Sequence, residues 1–196
     1  MGPVYTDVVD LHLTVRDMEE ADLPDLACFY PPIYLDNMPE HLEQARSGAV
    51  DHLVVCTRSG MPVAKGAVSY EKKPGYGEIW WLSVRAELRS LGIGTVLIRA
   101  SEERIRARGL PWAELGAEQN NPRAQALYER LGYVVYGSEA ASWNQQAEDG
   151  TVELYETTVT LLRKDTRLLR PRPGRGRASS LPARPSAGGG RAVGAP

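Results

Sequence analysis

The stretch LRSLGIGTVLIRA, Leu88 to Ala100, constrains the fold most, because it puts Gly92 and Gly94 at the entrance of an apolar run with helical spacing. Glycine has no Cβ, so its chain adopts positive φ and a ligand can approach its backbone N–H groups closely. Two glycines opening a helix have two readings. One is a tight turn. The other is a cradle for an anion, since the first helical N–H groups lack intrahelical partners and the helix dipole favours negative charge. A dinucleotide fingerprint requires a third small residue three places after Gly94, where Leu97 stands. A phosphate-binding loop of the Walker type requires Gly-Lys-Ser/Thr, whereas Gly94 is followed by Thr95 and Val96. Dinucleotide binding and nucleotide hydrolysis are therefore not expected.

With 196 residues, 42% hydrophobic and 24% charged, the chain suits one soluble domain with a full core. No run of about 18 apolar residues suggests a membrane span, and the N-terminus lacks the pattern of a signal peptide. Cys28 and Cys56 make no disulfide framework or metal spacing, and read as buried, inert thiols in a reducing cytoplasm. His12, His41 and His52 are scattered and read as structural or surface residues. The net charge of −2 hides an asymmetry. From Thr166 onward there are seven arginines and no acid, so residues 1–165 carry 16 basic and 25 acidic side chains. Residues 166–196, rich in Arg, Pro, Gly and Ala, have almost nothing to bury and read as a disordered tail. The acidic body suits cationic partners better than nucleic acid.

Apolar alternation predicts strands over LHLTVR, HLVVCTR, PVAKGAVSYE, EIWWLSVR, WAELGAE, YVVYGSEA and VELYETTVTLLRK. Helical patterns cover DMEEADLPDLACFY, with Asp17 as cap, then MPEHLEQARSG, Leu91–Arg108 and NNPRAQALYERLG. The order is β-α-α-β-β-β-α-β-α-β-β. Helices alternate with strands only in the middle, so an α/β (α+β) fold is expected. Its sheet should be mixed and mostly antiparallel, with helices on both faces.

At LSVRAELRSLGIGTVL and NNPRAQALYERLGY the sequence resembles the GNAT superfamily of acyl-CoA-dependent N-acetyltransferases, over about residues 10–165. The first motif carries a strand, a spacer to Arg89 and the glycine pair. The second carries Asn121, Ala124, Leu127, Tyr128, Leu131, Gly132 and Tyr133. The resemblance implies a domain over residues 1–165, a splayed strand pair and acetyl-CoA as co-substrate, with no metal. The cofactor would meet the backbone of Leu82, Ser83 and Val84 and the loop Arg89, Ser90, Leu91, Gly92, Ile93, Gly94 and Thr95, with Asn121 and Tyr128. Taken as residues alone, Arg89 reads as a surface arginine, Asn121 as a helix cap and Tyr128 as a core residue of an i, i+3, i+4, i+7 stripe. In relatives the matching tyrosine gives its proton to the leaving thiolate.

Transfer to an amine requires a neutral nitrogen, and a lysine-like amine pays about 4.6 kcal/mol for that at pH 7. Glu78, which opens EIWWLSV, is a candidate base beside the reading of a solvent-facing strand-end residue. In a regular strand it shares a face with Trp80, Leu82 and Val84. The expected reaction is direct attack of a primary amine in a ternary complex. Tyr30, Tyr34 and Trp143 are expected as acceptor walls, and Asp36, Glu148 and Asp149 as anchors for a cationic small molecule. A protein amine acceptor, a non-catalytic acyl-CoA sensor and a homodimer are left open.

Overall fold

In the computed structural model, which describes residues 10–30, 32–147 and 150–168, the alternating segments form seven strands of one sheet. They are β1 (Leu13–Asp17), β2 (Val50–Thr57), β3 (Pro62–Ser69), β4 (Tyr76–Val84), β5 (Trp112–Glu118), β6 (Val134–Gln146) and β7 (Val152–Asp165). The spatial order is β1-β2-β3-β4-β5-β7-β6. All neighbours are antiparallel except β4 and β5. The last hairpin turns over, so that β7 and not β6 lies against β5.

The alternation sorts side chains into two cores. On β2, Leu53 and Val55 join a cluster with Ile93, Leu97, Ile98 and Ile105 of the helix α3 (Ile93–Ala107). Tyr128 of α4 (Pro122–Arg130) packs into the same cluster. Val54 and Cys56 point the other way, to Leu26, Tyr30 and Met38 under α1 (Pro32–Leu35) and α2 (Met38–Ala45). Two glycines set how closely α3 seats. A Cβ at Gly77 would fall 2.4 Å from Ile105 Cγ1, and one at Gly66 would fall 3.3 Å from Leu97 Cδ2.

Three local expectations differ from what is observed. The segment after β1 forms a 3₁₀ helix, Glu20–Leu26, rather than an α-helix capped by Asp17. Pro24 lies inside it and removes an N–H donor. Arg16 fixes this turn by gripping Asp22 with both guanidinium nitrogens at 2.6 Å, which holds the Asp22 carboxyl below its ordinary range. Second, Cys28 is exposed while Cys56 is buried. Third, Thr166, read as the start of the tail, is buried and bonded to the backbone of Pro111 and Leu110 at 2.9 and 2.6 Å. Residues 169–196 of that segment, and residues 1–9, lie outside the described residues. Among the described residues no helix is long and apolar enough to cross a membrane.

Candidate active site

The parallel pairing of β4 with β5 runs only from Tyr76–Trp112 to Ile79–Leu115. Both strands continue, to Val84 and Glu118, without partnering each other, so they splay. Beyond Ile79 one backbone edge of β4 therefore has no strand beside it, the arrangement that lets an extended ligand add on as a strand would.

A bulge sharpens the splay. Ala67 faces Trp80 and Lys65 faces Ser83, so β4 holds one residue more than β3 between these pairs. Trp81 sits at the extra position with φ of 55°, a left-handed conformation rare for an aromatic residue. The alternation flips there. Ile79 packs toward α3, Trp81 packs toward α1 and α2, and Leu82 and Val84 return to the α3 side. Glu78 thus does not share a face with Leu82 and Val84, because the strand is not regular.

At one end of the splay lies the glycine loop. Gly92, with φ of 82°, caps α3 in the left-handed region, and Ser90 also has positive φ, at 72°. A side chain at Gly92 would meet nothing within 4 Å, so its conformation and not its space demands glycine. Gly94 has ordinary helical φ, and a Cβ there would lie 3.7 Å from Val84 and 3.9 Å from Leu127, which is normal contact. Nothing in the protein requires glycine at 94. The free N–H groups opening α3 thus sit beside a spot kept clear between the end of β4 and α4. Arg89 folds back to donate from Nε to the Val84 carbonyl at 3.2 Å, and Arg123 of α4 bonds the Ser90 hydroxyl.

The other expected residues gather on an open cavity of about 1130 Å³. Glu78, Leu82, Ser83, Asn121 and Tyr128 line it, with Tyr30, Tyr34 and Trp143. Asn121 caps α4 by accepting from the Ala124 N–H at 3.1 Å. Tyr128 is buried, which pushes its hydroxyl up to about 12 and keeps it protonated at neutral pH. Glu78 is ion-paired to Lys72 at 2.6 Å. Tyr34 donates to the Asn144 carbonyl and so joins α1 to the last hairpin across one end of the cavity. Asp36 is exposed between α1 and α2 and away from the lining, and Glu148 and Asp149 lie outside the described residues.

Several lining residues were not anticipated. Glu114 of β5 stands opposite Glu78, is buried, and accepts from Lys73 at 3.1 Å and from Tyr136. Glu118 accepts from Tyr155 at 3.1 Å. The Trp80 indole N–H is buried without a partner. Lys65 of β3 is buried against Tyr30 and Trp81, 3.9 and 5.1 Å from the ring centres, and burial lowers its ammonium to about 7. The sequence signal was a lysine interrupting the apolar strand PVAKGAVS.

The chain is similar to known proteins. The model of the acetyltransferase (GNAT) family matches residues 16–133. An S-(2-succino)cysteine N-acetyltransferase of Bacillus subtilis is 40% identical over 73 residues, 35% of this chain and 44% of that protein. A mycothiol acetyltransferase of Nocardiopsis dassonvillei is 33% identical over 76 residues, 39% of this chain and 23% of that protein. The aligned stretches thus span less than half of either relative. Among solved structures, the spermidine N-acetyltransferase from Vibrio cholerae in complex with CoA and spermine superimposes with a TM-score of 0.60 at 18% identity, covering 79% of this chain and 96% of that one. The ribosomal-protein-S18-alanine N-acetyltransferase from Escherichia coli does so with a TM-score of 0.59 at 16% identity, covering 79% and 94%. The likeness to both structures is one of fold. With the family model spanning the glycine loop, the splayed strands and the tyrosine helix, the chain belongs to the acetyltransferase (GNAT) family.

Proposed function

We propose that the protein transfers the acetyl group of acetyl-CoA to the primary amine of a small molecule, by direct attack in a ternary complex. The observation that carries this is the splay of β4 from β5 above a cavity lined by both Tyr128 and Glu78. When bound, acetyl-CoA supplies an activated thioester. The N–H groups from Leu91 to Thr95, with Arg89 and Ser90, suit its pyrophosphate, and the clear spot at Gly94 fits a close backbone approach. The free edge over Leu82, Ser83 and Val84 suits pantetheine amides, with Asn121 beside it, and an N–H near Val84 donates to the thioester carbonyl oxygen as charge grows there. Tyr128 holds a proton for the sulfur as the C–S bond breaks and the C–N bond forms. Glu78, directly or through water, takes the proton the acceptor's ammonium must lose before its nitrogen can attack.

A small cationic acceptor is supported by Glu78, Glu114, Glu118 and Glu139 along the cavity. A cytoplasmic site of action fits a chain that uses acetyl-CoA. The experiment is thermal unfolding with and without acetyl-CoA, followed by an amine screen that monitors free CoA thiol. A ligand at 100 times its Kd stabilises the native state by about 2.7 kcal/mol. A shift with acetyl-CoA and amine-dependent thiol release support the reading. No shift at millimolar acetyl-CoA overturns it, and a shift without turnover of any amine leaves a sensor.

A further inference from the structure

Among the described residues four side chains of Asp, Glu, Lys or Arg are buried, and three of them are paired. Arg16 holds Asp22 at 2.6 Å, Lys164 holds Glu102 at 2.8 Å and Lys73 holds Glu114 at 3.1 Å. Lys65 is the exception. Its relative exposure is 5%, and its Nζ stands over the faces of Tyr30 and Trp81 with no ion pair among the described residues. An unpaired buried ammonium is expensive, and an aromatic face offsets only part of that. A methionine of the same length would fill the space at no such cost. Lys65 is also on the cavity wall, directly across from Ser83 and one position from the strand end at Val84. The missing partner therefore has an open route to it, and that route is the acceptor's.

We propose that Lys65 is the anchor for a carboxylate carried by the acceptor, so that the substrate is an amine that also bears a carboxylate, as in an amino acid or its conjugate. The inference rests on the acetyl-transfer reading for the amine, and refines the cationic acceptor to one of mixed charge. The glutamates on the β4–β5 side of the cavity receive the ammonium, and Lys65 receives the opposite charge between two aromatic walls. A single ammonium with flat aromatic flanks suits a planar carboxylate better than a phosphate, which ordinarily gathers several donors.

Two measurements on the full chain test this. In the first, a series of α-amino acids is compared with the corresponding carboxamides and decarboxylated amines, in the wild type, Lys65→Met and Lys65→Arg. The expected result is a kcat/KM at least tenfold higher for the carboxylates. That ratio falls to near one in Lys65→Met, chiefly through KM, and is partly restored in Lys65→Arg. A ratio unchanged by Lys65→Met overturns the anchor. So does an equal loss of kcat for every amine, which makes Lys65 a proton acceptor instead. In the second, succinate is titrated calorimetrically into the CoA-saturated protein at pH 8 in buffers of different ionisation enthalpy. The titratable groups packed on the same side as Lys65 include His52 and Cys56 on β2, His41 on α2, and Tyr30 and Tyr34, with His52 held neutral by burial down to about pH 4. Binding with proton uptake in the wild type, absent in Lys65→Met, supports the anchor. Equal binding by both proteins, or by neither, overturns it. Succinate binding that requires Lys65, with no amine acetylated, leaves the anchor standing and removes the transfer reading. Turnover without carboxylate preference does the reverse.

Discussion

Glu78 and Glu114 face each other in the four-residue stretch where β4 and β5 still pair, and each is matched to one of two consecutive lysines. Lys72 lies 2.6 Å from Glu78 and Lys73 lies 3.1 Å from Glu114. Two carboxylates side by side on parallel strands repel, and the lysine pair from the β3–β4 turn offsets this at the root of the splay. Glu114 is closed in further by Tyr136 and its side chain is 7% exposed, whereas that of Glu78 is 22% exposed. Of the two, Glu78 is therefore the more accessible from the cavity.

Glu78→Gln is accordingly expected to lower kcat/KM by on the order of 10²-fold at pH 7, with the deficit shrinking as pH approaches the acceptor's own pKa. pH–rate profiles of the wild type and Glu78→Gln decide the matter. A Glu78→Gln enzyme within a few-fold of the wild type across the range means that water alone removes the proton.

Tyr128→Phe removes one oxygen from a buried ring and is expected to keep the fold and the binding of acetyl-CoA. The expected loss is roughly 10- to 100-fold in kcat, with little change in the KM for acetyl-CoA. Because burial holds the Tyr128 hydroxyl up near 12, no fall in rate between pH 8 and 10 should be traceable to it. A Tyr128→Phe enzyme with wild-type kcat would reduce Tyr128 to a core residue.

The two loop glycines should separate fold from function. Gly92 has φ of 82°, so Gly92→Ala imposes a left-handed conformation on a Cβ at about 1–2 kcal/mol. Gly94 is helical, and a Cβ there meets only ordinary contacts. Gly94→Ala is therefore expected to hold stability or raise it by up to about 1 kcal/mol, through helix propensity. It should still weaken acetyl-CoA binding at least tenfold, because the methyl occupies the approach to the N–H groups. Chemical denaturation and calorimetry on each variant read the two quantities apart. Unchanged acetyl-CoA affinity in Gly94→Ala would place the cofactor elsewhere.

The parts of the site legible in the sequence are those written locally. The loop before α3, the Asn121 cap and the tyrosine stripe each depend on residues within one turn of one another. The bulge at Trp81 had no such signal, since neither glycine nor asparagine marks its positive φ. It reassigned the faces of every residue from Trp81 to Val84. Lys65 was opaque for a different reason. A lysine in a strand reads as solvent-facing, and only the docking of the 3₁₀ helix, α1 and α2 onto that face and the bulge in β4 put Tyr30 and Trp81 over it. The strand order β5-β7-β6 likewise follows from how the last hairpin turns over, which spacing does not encode.

Buried basic groups also write a pH dependence of stability. Burial takes Lys65 from its ordinary value of 10.5 to about 7, and His52 from 6.5 to about 4. In both cases the unfolded chain binds more protons than the folded one between the two values, so stability rises with pH across each window. For His52 that window is about pH 4 to 6.5, and for Lys65 about pH 7 to 10.5. Lys65→Met abolishes the upper contribution and replaces a poorly solvated amine with an apolar side chain. It should therefore stabilise the protein by a few kcal/mol at pH 7, and by progressively less as pH approaches 10. Urea denaturation of wild type and Lys65→Met at several pH values above 7 measures this difference directly, since titrations not coupled to Lys65 cancel in it and His52, which is coupled, is neutral there. A gain that stays constant with pH would show that Lys65 is charged in the folded protein throughout, held by a partner that the aromatic faces of Tyr30 and Trp81 do not provide.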